Sequence, residues 1–217
     1  MKLNFQDIKK LDKVYRINLI NSITGAKPAN LIGTKSTNSV ENLAVFSSVV
    51  HLGSNPPLIG FFIRPQIKKK SDTYQNILEN KYFTINSISK KYIVNAHFTS
   101  KKIASNLSEF EICKIQKTYI NGFFAPFVKS SKIKIGLSLV ETKKIYNNCI
   151  LVVGKIELLN IDNESIDTEG RVNLESIGTV SISGCDTYNS ITKIKKMPYV
   201  NSTFNIEEQL KNEEFTI

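Results

Sequence analysis

Between residues 28 and 88 apolar and polar positions change over in short runs bounded by turn residues, which predicts strands rather than long helices. Residues 14–22, VYRINLINS, nearly alternate and predict a half-buried strand, closed by a turn at Thr24-Gly25. Residues 28–35, PANLIGTK, predict a second strand, and Ser36-Thr37-Asn38-Ser39 is a polar connection of hairpin length. Residues 43–50 and 57–64 predict the third and fourth strands, separated by the breakers Gly53-Ser54-Asn55-Pro56. A helix is predicted from Asp72, with Asp72 and Gln75 as a capping box and Tyr74, Ile77 and Leu78 as its apolar stripe, ending at Asn80. Residues 82–88 return to strand, with Phe83 and Ile85 on one face.

The second half continues in the same manner. Ser89 opens a helical stretch, SKKYIVNAHF, and Ser108 with Glu111 resembles another capping box before FEICKI. Alternation over 132–141 and the apolar run 149–159 predict two longer strands, the second with Gly154 at a bulge or a close backbone approach. An acidic loop over 162–169 and a short strand over 179–183 follow. The pattern predicts a mainly β fold with flanking helices, an antiparallel barrel or sandwich, rather than alternating βαβ units. With no repeat and no linker, residues 1–200 read as one domain and 201–217 as an acidic tail, a short helix on the surface or across a dimer.

The chain has 217 residues, 41% of them hydrophobic, enough for a real core. No membrane-length apolar run and no secretory leader are visible, so the expectation is a cytoplasmic protein without a membrane partner. Cys113, Cys149 and Cys185 stand in no pairing motif, and His51 and His97 have no carboxylates at ligand spacing, so neither a disulfide framework nor a metal centre is expected. The net charge of +10 admits a nucleic-acid partner or a phosphate-bearing ligand. Of 29 basic residues only Arg16, Arg64 and Arg171 are arginine, the residue that reads bases, so nucleic acid is the remote alternative.

Neither GxGxxG nor GxxxxGK[ST] occurs, so a phosphate would have to be held by other means. Lys68-Lys69-Lys70-Ser71-Asp72-Thr73 offers hydroxyls and ammonium groups at a helix start, although taken alone it also reads as a solvated helix N-terminus. Arg64, at the end of an apolar strand, suits either a carboxylate or a phosphate. Ser47 and Ser48 are hydroxyls that could equally bond backbone at a sheet edge.

The order of these pieces resembles the flavin reductase-like family with an FMN-binding split barrel. The matching segments are NLIGTKSTNSVENLAVFSSV, SNPPLIGFFI and SDTYQNILENKYFTIN, followed by NAHFTSKK with SEFE, APFVKSS and GTVSISGCDTY. The resemblance implies an antiparallel, Greek-key-like split β-barrel that forms a homodimer with FMN, or FAD, at its interface. It implies that Asn42, Leu43, Ala44, Val45 and Phe46 run along the flavin ring, with backbone amides of 43–46 at its pyrimidine end. Ser47, Ser48, Arg64, Ser71, Asp72 and Thr73 would approach ribityl and phosphate. His97, Thr99, Ser100 and Lys101 would close the pocket, His97 otherwise reading as a helix-end residue, and Ala125, Pro126 and Phe127 would form a substrate-side wall. The implied activity is a flavin reductase: hydride passes from NAD(P)H to flavin and on to an acceptor, with no side-chain acid, base or nucleophile. The alternative is a flavin-binding electron carrier or storage protein without nicotinamide turnover.

Overall fold

The structure is a computed structural model that describes residues 1–67 and 70–211, excepting the side chains of Gln209 and Lys211. Two short helices open the chain, α1 (Phe5–Lys10) and α2 (Lys13–Ser22). Strands β1 (Lys27–Pro28), β2 (Asn30–Lys35), β3 (Glu41–Phe46), β4 (Val50–Ser54) and β5 (Pro57–Ile63) lead to α3 (Asp72–Asn80) and β6 (Tyr82–Ser87). A 3₁₀ turn and α4 (Ile93–Phe98), α5 (Glu109–Ile112), β7 (Lys117–Thr118) and β8 (Phe127–Val128) precede the long pair β9 (Ile133–Lys144) and β10 (Ile150–Ile161). Strands β11 (Val180–Ser183) and β12 (Thr187–Ser190) and helix α6 (Ile206–Lys211) complete the described chain.

Seven strands form the central sheet, in the order β3-β2-β6-β9-β10-β5-β4, antiparallel throughout. Its two edge strands, β3 and β4, are consecutive in the chain. A flat sheet would hold them about 29 Å apart at six strand spacings, whereas Ser47–Val49 allow roughly 14 Å from Phe46 to Val50. The sheet must therefore roll up until its edges approach, and it does so without hydrogen-bonding β3 to β4. Ser48 holds this seam, because its Oγ accepts from Phe62 N at 3.1 Å and donates to Phe62 O at 3.0 Å. With Val50 opposite Gly60, Ser48 lies opposite Phe62, so its hydroxyl continues the β4–β5 ladder by one step.

Adjacent residues go to opposite faces, and the roll turns those faces into two cores. Ile32, Phe61, Phe83, Ile85, Leu137 and Val152 fill one; Leu31, Leu43, Ala96, Phe110, Val128 and Val180 fill the other, beneath α4, α5 and β11. Gly154 sits at a register shift between β9 and β10, where a Cβ would come within 2.5 Å of Phe83 Cζ. Phe83 and Ile85 share one face, as their spacing requires.

Several sequence expectations need correction. Residues 14–22 are helix rather than strand: Asp12 Oδ1 accepts from Val14 N and Tyr15 N, and that local cap decides a pattern in which either period fits. The run 43–50 is broken at Ser47–Val49, and Gly53 and Ser54 belong to β4 rather than to the turn. Ser71, one residue before Asp72, is the N-cap of α3, accepting from Tyr74 N at 3.4 Å. The box at Ser108 does not form: its Oγ is buried without a partner among the described residues, and α5 is a four-residue helix. The last strand is followed by β12, which pairs with it. No helix among the described residues is long and apolar enough to cross a membrane.

Candidate functional site

Helix α3 lies along β2 and β3 because three asparagine amides tie it there. Asn42 Nδ2 donates to Thr73 Oγ1 at 3.0 Å, Asn76 Nδ2 to Thr34 Oγ1 at 3.1 Å and Asn80 Nδ2 to Lys35 O at 2.9 Å. The first two bonds are buried, where an unmade bond is most costly. They set the α3 N-terminus beside the start of β3. Its first amides have no carbonyl within the helix and face outward with the positive end of the dipole.

The loop before α3 is folded back onto the same end. Gln66 Nε2 donates to Arg64 O at 2.7 Å, while Gln66 Oε1 accepts from Ser71 N at 2.6 Å. One amide thus bridges the end of β5 and the N-cap of α3. The Arg64 guanidinium is exposed and bonds no acceptor among the described residues; Lys70 is exposed as well, while Lys68 and Lys69 lie outside them. Thr73 is buried and accepts from Asn42, which leaves its own O–H as a donor.

Glu109 completes this edge. Its Oε2 accepts from Leu43 N at 3.0 Å, so the Leu43 amide points away from β2 and is already engaged. By strand alternation the Val45 amide points to the same side. Burial pushes the Glu109 carboxyl above the ordinary glutamate range and nearby Asp72 adds to this, while the Leu43 amide draws it back. Glu109 and Lys101 line one cleft.

The structure therefore brings together Asn42, Leu43, Arg64, Ser71, Asp72 and Thr73 along one path of hydrogen bonds and chain neighbours, with Lys101 beyond Glu109 in the adjoining cleft. Ser48 stands at the barrel seam with its hydroxyl engaged on β5, and Ser47, at the adjoining corner, makes no hydrogen bond among the described residues. Ala44 and Phe46 pair with Ile32 and Asn30 of β2. His97 faces β12, with Nδ1 3.3 Å from Tyr188 Oη, while Thr99 Oγ1 donates back to Ala96 O at 2.7 Å and Ser100 is exposed. Ala125, Pro126 and Phe127 are buried, with Pro126 O accepting from Thr84 Oγ1 at 2.7 Å, so they brace β2 and β6 from below. Sequence reasoning missed Gln66, Asn76 and Glu109 as organisers of the site. Gln66 and Asn76 carry no local signal, and Glu109 was visible only as part of SEFE.

The sequence profile described as "Flavin reductase like domain" matches residues 24–173. The chain is similar to an inferred flavin reductase with a split barrel domain from Shewanella frigidimarina NCIMB 400: 38% identity, 92% of this chain and 100% of that one, TM-score 0.88. Nitrilotriacetate monooxygenase component B from Bacillus cereus shares the fold at 18% identity, over 91% of this chain and 98% of that one, TM-score 0.80. Flavoredoxin of Desulfovibrio vulgaris (Miyazaki F) does so at 19% identity, over 95% and 100%, TM-score 0.68. A family profile over most of the chain and a rolled, unclosed seven-stranded sheet agree: this protein belongs to the flavin reductase-like domain family and has its split-barrel fold.

Proposed function

We propose that this protein binds flavin mononucleotide along the outer edge of β3, accepts hydride onto it from NAD(P)H and passes the electrons to an acceptor, working as a homodimer. The observation that carries this reading is the contact path Arg64–Gln66–Ser71–Thr73–Asn42–Leu43, which joins cationic and hydroxyl donors to an open strand edge. The donors suit a single phosphate: the first amides of α3, the Thr73 O–H, and the Arg64 and Lys70 side chains. One such cradle favours a mononucleotide over a dinucleotide flavin. A bound flavin supplies the hydride-accepting centre; the chain supplies binding, orientation and charge. In this reading the Val45 amide donates to the pyrimidine end, supported by strand alternation, whereas the Leu43 amide is held by Glu109. Support for a second copy comes from the open edges of β3 and β4, with Val50 and Leu52 exposed on the latter.

Titrating the purified protein with FMN and recording its visible spectrum tests binding, and anaerobic addition of NADH or NADPH tests turnover. Saturable binding followed by bleaching is expected. Flavin that binds but stays oxidised would assign the carrier role instead, and no binding would end the proposal. Arg64→Ala is expected to keep the thermal transition and to weaken FMN binding by about 1 to 3 kcal/mol, roughly 5- to 150-fold.

A further inference from the structure

A cleft of about 340 Å³ lies between α4 and α5, lined by Phe98, Ile103 and Ile112, by Cys113, and by Lys101 and Glu109. Its volume is at the lower end of the range for small-molecule sites. Glu109 is 7% exposed, while Phe98 and Ile112 are 59% and 51% exposed, so apolar walls rise over a buried carboxylate. A buried carboxylate normally has a cation or several donors. Glu109 has the Leu43 amide and its own, and among the described residues no Lys or Arg bonds it. Among the described residues the charged group that acts on it is Asp72, of like sign. Lys101 shares the cleft without an ion pair to Glu109. A carboxylate has about four acceptor positions, and the protein leaves part of that capacity unused.

We propose that this cleft is a binding site for a single-ring organic molecule carrying an amine or amide N–H, with the ring against Phe98, Ile103 and Ile112 and the N–H donated to Glu109. The ligand supplies a further donor to Glu109 in a low-dielectric setting where such a bond counts most. An anionic ring compound is disfavoured, because with its ring on the apolar wall its carboxylate would face buried Glu109, and Lys101, which could offset this, is exposed to water. The proposal goes beyond flavin binding and stands without it: of the residues lining the cleft, Lys101 belongs to the candidate flavin wall and Glu109 braces that wall through the Leu43 amide.

The test titrates the full-length protein with benzylamine, benzamide and benzoate, following binding by ligand-observed NMR, with FMN binding measured separately by absorbance. Benzylamine and benzamide are expected to bind saturably below about 10 mM, and benzoate at least roughly tenfold more weakly. Glu109→Gln keeps an oxygen for the Leu43 amide and turns an NH₂ into the cleft. It should lose benzylamine by about tenfold or more and gain benzoate. Ile103→Trp fills the cleft without altering Glu109 and should abolish binding of both probes at an unchanged melting temperature. Benzoate binding as well as benzylamine, no change in Glu109→Gln, or no saturable binding of either N–H probe would each overturn the proposal. Because FMN has its own readout, failure of the cleft and failure of the flavin site are distinguishable.

Discussion

Ser47 and Ser48 are neighbours with opposite expected roles, and replacing each by alanine separates the barrel seam from the ligand site. Ser48→Ala removes two hydrogen bonds at once, from Phe62 N and to Phe62 O, at 3.1 and 3.0 Å. Each is worth about 0.5 to 1.5 kcal/mol net, and the half-buried position places the sum near 1 to 2 kcal/mol. For a chain of this size that lowers the melting temperature by about 2 to 8 °C. Ser47 makes no hydrogen bond among the described residues, so Ser47→Ala should stay within about 0.5 kcal/mol of the parent. If Ser47 meets the ribityl or phosphate, its loss weakens FMN by about 1 to 3 kcal/mol. Paired urea titrations and FMN binding isotherms on both variants make the comparison. A Ser48→Ala protein of parental stability that binds flavin poorly would refute the seam assignment.

Gly154→Ala should destabilise by about 1 to 3 kcal/mol in urea unfolding, since its Cβ would meet Phe83 and Leu137, both fully buried. An unchanged midpoint would show that the β9–β10 bulge relaxes freely. Glu109 holds its proton more tightly in the native chain than in the unfolded one. Its contribution to stability is therefore present at low pH and lost as pH climbs through the raised native value. Comparing urea midpoints between acidic and mildly alkaline pH, Glu109→Gln should show a shallower decline than the parent, and parallel curves would contradict this.

Much of the barrel is legible because its strands carry a period of two between turn residues that allow no continuation. The hairpin at Ser36–Ser39, the Asp72–Asn80 helix within one residue, the pairing of Phe83 with Ile85 and the close approach at Gly154 all follow from local rules. Residues 14–22 were misread because apolar residues there fit both periods, and Asp12, outside the run, made the choice. Ser108 fails as a cap because the Glu111 amide it would hold donates instead to Ser108 O at 3.2 Å, which leaves the hydroxyl without a partner among the described residues.

Patterning along the chain sets the class of fold and the likeness to flavin reductases, and it marks the stretches expected to form a flavin wall. Which groups in those stretches keep an unused donor or acceptor depends on packing between segments. Asn42 and Thr73, Gln66 and Ser71, and Leu43 and Glu109 are joined by hydrogen bonds whose geometry depends on how the sheet rolls and where α3 and α5 come to rest. Local propensity acts over a few residues, whereas a donor's partner is fixed by packing between segments far apart in the chain.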